Sequence, residues 1–325
     1  MKKILLAWIC LLVVWSCSSE RNAGFRTWIE NNGKIKVLST TAMINDLVQQ
    51  IGKDHVDTLT LIQGQLDPHS YQLVKGDDEK LVFAQLIFYN GLGLEHGPSL
   101  YYHLSDNPKA IALGDQIEQQ DPSSIIYVQG QKDPHIWMDI SLWNKAVPVI
   151  VEALSKKDPA HAAEFRANGA ALQQTLLQAH EQIKSIVHSA PEQNRYLVTS
   201  HDAFNYFTRA YLAPDNERHN GLWEKRFAAP EGLAPESQLS TTDIRSIIDH
   251  MQKYHIKLLF SESNVSQDSI KKILQAGRER GLDLKIACCP LFSDAMGPPS
   301  SEADTYTKML LYNAKMITRY MKEEN

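Results

Sequence analysis

A single amphipathic helix divides this chain in two. From Pro159 to about His188, the residues Phe165, Leu172, Leu176, Ala179, Ile183 and Ile186 recur at spacings of seven, four, three, four and three. That rhythm places them on one apolar stripe. Asp158 can cap the helix, and Pro159 suits its first position. At 1.5 Å per residue the helix is on the order of 45 Å long. Such a helix can run past two packed lobes and limit their motion, or be an ordinary surface helix of one large domain. Gly169 is its weak point, costing up to roughly 1 kcal/mol against alanine.

On both sides of this helix, strands alternate with helices. Before it, 35–39, 57–62 and 86–89 read as strands, with shorter ones at 111–113 and 125–128. Helices are expected through Ile44, Leu47, Val48 and Ile51, and over 77–84 and 143–154. After it, 196–199, 257–260 and 284–287 read as strands, and 203–211, 241–254, 268–280 and 303–320 as helices. Ser240 or Thr241 can cap the second of these. The segment 216–235 reads as irregular. The alternation predicts an α/β fold with mostly parallel sheets. The expected division is a first lobe over 34–156, the linking helix over 157–190 and a second lobe over 191–325.

The N-terminus carries Lys2 and Lys3, then an apolar run from Ile4 to Trp15, then Ser16 and Cys17. This matches a secretory signal peptide over 1–16, and the run is shorter than the roughly 20 residues a spanning helix needs. Small Ser16 before Cys17, with Val14 two residues further back, resembles a bacterial lipoprotein box. Cys17 is then the lipidated first residue of the mature chain, and 17–33 is a polar tether to a membrane. Without Lys2 and Lys3, 31 basic side chains face 38 acidic ones. That balance, with no long run of one sign, speaks against nucleic-acid binding. It is compatible with collecting cations. The adjacent Cys288 and Cys289 are expected to be buried strand residues, because neighbours in sequence rarely meet the geometry of a disulfide.

Four candidate metal donors stand at expected strand exits, where open α/β sheets bind ligands. They are His69 in Asp67-Pro68-His69, His135 in the Asp133-Pro134-His135-Ile136-Trp137-Met138-Asp139 stretch, His201 after Ser200, and Asp294 after Ser293. A lone loop histidine is more often hydrogen-bonded or solvated than a ligand. Here two donors come from each lobe, so all four can face one cleft. Ligating histidines normally donate their second N–H to a carboxylate or carbonyl. Asp67, Asp133, Asp139 and Glu262 are candidates for that role, although Asp67 and Asp133 can equally be turn residues before proline. Trp137 either walls the cleft or packs in the core.

These motifs, together with Thr199 to Phe207, Glu262-Ser263-Asn264 and Ser293 to Gly297, occur in the order of one family. The chain resembles the zinc and manganese solute-binding lipoproteins of bacterial ABC importers over most of 35–322. The resemblance implies the cluster A type of solute-binding fold, with two α/β lobes joined by a single long helix and the ion held between them. It implies His69, His135, His201 and Asp294 as the ligands. It also implies a membrane permease, driven by a separate ATPase, as the partner that receives the ion. The chain departs from the family's pattern in three places. It lacks the His-rich acidic loop of many zinc-specific members, its segment 92–106 is short, and 216–235 matches only in part. His96, His103 and His219 in these segments read as solvated side chains.

Three neutral imidazoles with one carboxylate suit tetrahedral Zn²⁺, whereas Mn²⁺ favours more oxygen. The resemblance associates this set with both ions. The reading is therefore of a monomeric, exported, lipid-anchored protein on the periplasmic or cell-surface side. It carries zinc, with manganese next, as transported cargo rather than as a catalyst. A secreted metal-dependent hydrolase and a surface adhesin with a structural metal are the alternatives. Four protein ligands leave no open position for a catalytic water, and neither His-Glu-x-x-His nor Gly-x-Ser-x-Gly is present.

Overall fold

The computed structural model describes residues 25–235 and 239–323. The expected signal peptide, Cys17 and the first part of the tether lie outside the described residues. The remainder of that tether is docked, not free. Residues 25–29 form a helical turn, Trp28 is buried, and its Nε1 donates to the Asp57 carbonyl at 2.9 Å. The indole, with Phe25 and Ile29 packed against the same cluster, supplies the anchoring surface that the polar composition of the segment concealed.

The first lobe is a four-stranded parallel sheet in the order β2-β1-β3-β4. Its strands are β1 (Ile35–Ser39), β2 (Val56–Thr60), β3 (Leu86–Tyr89) and β4 (Ala110–Ala112). Alternation along β1 sends Val37 into a central core and Leu38 into an outer cluster with Leu61, Leu81 and Leu100, as a period of two requires. The segment expected as a strand at 125–128 is one arm of an antiparallel hairpin, β5 (Tyr127–Val128) and β6 (Gln131–Lys132). The hairpin delivers the chain directly to Asp133 and His135. The helix expected over 143–154 is two helices, Ile140–Trp143 and Ala146–Lys157.

The second lobe repeats the arrangement with shorter strands. β7 (Leu197–Val198) pairs in parallel with β8 (Phe227–Ala228), and β9 (Leu258–Leu259) with β10 (Lys285–Ile286). The Phe260 N–H donates to the Val198 carbonyl at 2.9 Å and joins the pairs, giving the order β8-β7-β9-β10. Leu197 and Leu258 face the central core; Val198 and Leu259 face an outer cluster. β8 lies inside the segment expected to be irregular, because two residues are too few to show a period. The helix expected over 203–211 is a short turn, Asn205–Phe207, continued by a π-helical turn, Thr208–Leu212. The capping of 241–253 is as expected: Ser240 and Asp243 form a reciprocal capping box.

The linking helix proper is Ala162–His188, 27 residues and about 40 Å long, preceded by a 3-10 turn at Pro159–His161. Asp158 accepts from His161 Nδ1 at 2.6 Å instead of capping a backbone N–H. The helix packs against Ala42–Gly52 and Ala146–Lys157 from the first lobe and Tyr306–Glu323 from the second. Its stripe of Phe165, Leu172, Leu176, Ala179 and Ile183 lies in the central core shared by both sheets. Gly169 has a packing reason: a Cβ there would meet Val151 Cγ2 at 2.5 Å.

Cys288 and Cys289 correct the expectation for them. They follow β10, outside any strand, with Cys288 exposed and Cys289 half-buried. Among the described residues, no helix is long and apolar enough to cross a membrane.

Candidate metal centre

The two sheets present their carboxyl ends to one cleft. His69 comes from the loop after β2, His135 from the turn after the β5–β6 hairpin, His201 from the exit of β7 and Asp294 from the loop after β10. All four side chains are essentially buried, and one donor atom of each lies within 4.8 Å of the others. The separations are 3.2 Å for His69 Nε2 to His135 Nε2, 3.4 Å for His135 Nε2 to Asp294 Oδ1, and 3.2 Å and 3.9 Å for Asp294 Oδ2 to Nε2 of His201 and of His69. A tetrahedral ion with ligands at about 2.1 Å separates its donors by roughly 3.4 Å. His201 Nε2 and Asp294 Oδ1 are buried without a hydrogen-bond partner, so atoms that ordinarily need a partner converge on one point.

Support for each donor is built locally. Asp133 Oδ1 accepts the backbone N–H of His135 at 2.9 Å and its Nδ1–H at 2.7 Å, which turns Nε2 towards the cleft. Asp133 is held in turn by Asn205 Nδ2 on its Oδ2 and by the Tyr206 hydroxyl on its carbonyl. Glu262 plays the matching part in the second lobe. Its Oε1 accepts the N–H groups of Ser200 and His201, and its Oε2 lies 2.6 Å from His201 Nδ1. Asn264 donates to Asp294 Oδ2 at 3.0 Å and accepts from Ser293 Oγ. Asp67 accepts from the His69 backbone N–H and the Ser70 hydroxyl, as a turn residue before proline does.

The electrostatics suit a cation. Burial pulls the His135 imidazole down, but Asp133 and Asp294 outweigh it and hold it at about 9. Burial likewise opposes charge on His201, and Glu262 with Asp294 raises it well above the usual range. His69 is lowered well below that range, by burial first, with Asp294 opposing. Burial disfavours the Asp294 anion, yet His201 and His135 hold its carboxyl well below the carboxylate range. Two of the three imidazoles thus favour the protonated form beside an ionised Asp294, and binding of a cation by these residues would be coupled to proton release.

One expectation needs correction and one is met. Asp139 does not support a donor: it caps the Ile140–Trp143 helix, accepting from Ser141 N and Oγ, and lies 3.6 Å from His180. Trp137 is both buried and close to the site, with its ring edge-on to His135 at 5.2 Å. Of His96, His103 and His219, His96 comes nearest, with ring centroids 5.7 Å from His69. The two line an open cavity of about 580 Å³ with Lys132 and Leu233. His103 lies beside Tyr102 on a surface helix, and His219 is exposed.

Sequence reasoning assigned no role to Asn90, Glu95, Asn205, Tyr206 or Asn264. Asn90 follows β3 and donates to the Pro134 carbonyl at 2.9 Å. Buried Glu95 accepts from the N–H groups of Asn90 and Gly91 and from the Thr40 hydroxyl. A signal for Glu95 was available, since a carboxylate in the apolar, glycine-rich run from Gly91 to Leu94 needs such partners.

The chain is similar to known metal-binding proteins in both sequence and structure. The family described as zinc-uptake complex component A, periplasmic, matches residues 37–320. The metal-binding protein YtgA of Chlamydia trachomatis is 38% identical over 320 residues, covering 98% of this chain and 94% of that protein. The manganese-binding lipoprotein MntA of Bacillus subtilis is 31% identical, covering 89% and 90%. The zinc-binding protein TroA of Treponema pallidum is also 31% identical, covering 88% of each. Among solved structures, Fe(III)-bound YtgA superposes with a TM-score of 0.83 at 37% identity, covering 88% of this chain and 97% of the other. Periplasmic TroA gives 0.80 at 30%, covering 89% and 99%.

Proposed function

We propose, from the premise that this chain belongs to the family of the periplasmic zinc-uptake complex component A, that His69, His135, His201 and Asp294 hold the transported ion. The family consists of extracytoplasmic metal-binding components of ABC importers, not enzymes, which sets the hydrolase reading aside. The observation that carries the ligand assignment is the convergence of four buried side chains with one ligand atom each within 4.8 Å of the others, two of them backed by carboxylates.

Relatives are described as binding zinc, manganese or Fe(III), so the choice of ion rests on the donor set. Three imidazoles and a carboxylate favour Zn²⁺, and zinc lies above manganese in the Irving–Williams order. Both oxygens of Asp294 approach ring nitrogens, so the carboxylate can bind through one oxygen or two. Bidentate binding makes Mn²⁺ the runner-up. The ion passes to a membrane permease coupled to a cytoplasmic ATPase, and a lipid on Cys17 keeps the protein beside it.

Competition binding of Zn²⁺ and Mn²⁺ to the mature chain, by calorimetry or native mass spectrometry, tests the reading beside His201→Ala and Asp294→Ala. Each variant is expected to lose more affinity for the cleft ion than the roughly 10–100-fold that loss of a supporting partner costs. Unchanged affinity in both variants would sink the ligand assignment. Tighter binding of Mn²⁺ than of Zn²⁺ would reverse the choice of ion. Cys17→Ala is expected to release the protein from membranes.

A further inference from the structure

We propose that His55, His161 and Glu164 form a second transition-metal site, on the opposite side of the first lobe from the cleft. His55 immediately precedes β2, whereas His69 follows its carboxyl end, so the two groups lie beyond opposite ends of the same strand. One ligand atom each from His55, His161 and Glu164 lies within 4.8 Å of the others.

Three observations argue for a ligand. First, His55 Nε2 lies 2.9 Å from Glu164 Oε2, so an imidazole and a carboxylate already share one point. Second, the rings of His55 and His161 stack with centroids 3.8 Å apart and planes 24° from parallel, which holds the two imidazoles side by side, so that a turn of one ring brings both nitrogens onto a single ion. Third, His161 Nδ1 sits 2.6 Å from Asp158 Oδ2. That carboxylate fixes the tautomer and leaves Nε2 as the electron-pair donor, the usual arrangement behind a ligating histidine. Phe165 closes one side, edge-on to His55 at 5.8 Å.

Two imidazoles and one carboxylate suit Zn²⁺, Cu²⁺ or Ni²⁺, with water completing the shell. The donors must settle at roughly 3.4 Å from one another for a tetrahedral ion, a change within reach of side chains that are partly exposed. Because these side chains are partly exposed, the site binds more weakly than the buried cleft. Its position gives it an effect. His55 belongs to the turn between the helix 42–52 and β2, and His161 and Glu164 to the start of the linking helix. The two segments already touch through Asn168 Nδ2 and the Ile51 carbonyl at 2.9 Å. An ion here fastens the linking helix to the first lobe.

The test is Zn²⁺ stoichiometry and affinity, with zinc-dependent melting temperature, on the mature protein. Wild type is expected to take up two equivalents, the second at least about 30-fold more weakly. His161→Ala and the shape-conserving Glu164→Gln are expected to retain only the tight one. Asp294→Ala is expected to keep a weak equivalent that raises the melting temperature and disappears when His161→Ala is added. Saturation of wild type at one equivalent, or retention of the weak equivalent in both His161→Ala and Glu164→Gln, overturns the proposal. Failure of the cleft assignment looks different, because it concerns the tight equivalent alone.

Discussion

The indole Nε1 of Trp137 donates to the carbonyl of Ser293 at 2.8 Å. One residue belongs to the His135 segment of the first lobe and the other precedes Asp294 in the second, so the two halves of the cleft are tied together without an ion. The Trp137 carbonyl in turn accepts from the Tyr306 hydroxyl. Trp137→Phe keeps an aromatic ring but removes the donor and leaves a buried carbonyl unpaired. It is expected to cost about 2–3 kcal/mol of stability and to weaken zinc binding about tenfold. Urea unfolding and competition titration measure the two effects separately.

Asp133 and Asp139 flank the same histidine motif and do different things. Asp133→Asn places an amide where the Asn205 amide already donates and weakens the hold on His135. Metal affinity is expected to fall about 10–100-fold. Asp139→Asn disturbs a helix cap and the ion pair with His180, both away from the cleft donors. It is expected to leave affinity within about twofold and lower stability by no more than about 1 kcal/mol. Equal effects of the two changes on affinity would contradict this division.

Gly169→Ala sets helix propensity against packing. Alanine gains up to about 1 kcal/mol of propensity, but its Cβ meets the stiff Val151 side chain at 2.5 Å. The expected outcome is a net loss of about 1–3 kcal/mol. Adding Val151→Ala removes the clash and is expected to recover part of that loss. A stabilised single variant would show that the helices 146–157 and 162–188 separate easily.

His250 gives the fold a pH dependence independent of the metal. Burial, then Lys253, pushes its imidazole down to about 4, and its Nε2 has no hydrogen-bond partner. The unfolded ring takes up its proton near 6.5, before the folded one does. Its contribution is therefore complete above pH 6.5 and is lost progressively as pH falls through about 4. Because the ring is partly exposed, about 1–2 kcal/mol is at stake. Urea denaturation of the metal-free protein at pH 7, 5.5 and 4.5 is expected to show a shallower decline in His250→Gln than in wild type.

The parallel sheets were legible in the sequence because the strand and helix pattern alternates, and the meeting of His69, His135, His201 and Asp294 in one cleft because their motifs fall at loops beyond strands and in the order of one family. The hairpin before His135 was not legible, since its second arm is the two polar residues Gln131 and Lys132. What stayed hidden depends on contacts between distant loops. Asn205 meets Asp133, Asn90 meets the Pro134 carbonyl and Trp137 meets the Ser293 carbonyl, and no local period records such pairings. β8 was hidden by its brevity. Trp28 was hidden because Phe25, Trp28 and Ile29 make too short an apolar group in a polar segment to show a period. Asp139 was misread because proximity to His135 in sequence is not proximity in space.

The spread of the donors along the chain has a consequence for export. A chain threaded across a membrane from its N-terminus delivers His69 first and Asp294 last, just ahead of the helix 306–323 that completes the shared core. Until that final stretch is present, His69, His135 and His201 lack Asp294 beside them and the linking helix lacks one of its packing partners; on the function proposed above, completion of the fold and first capture of an ion are expected to coincide.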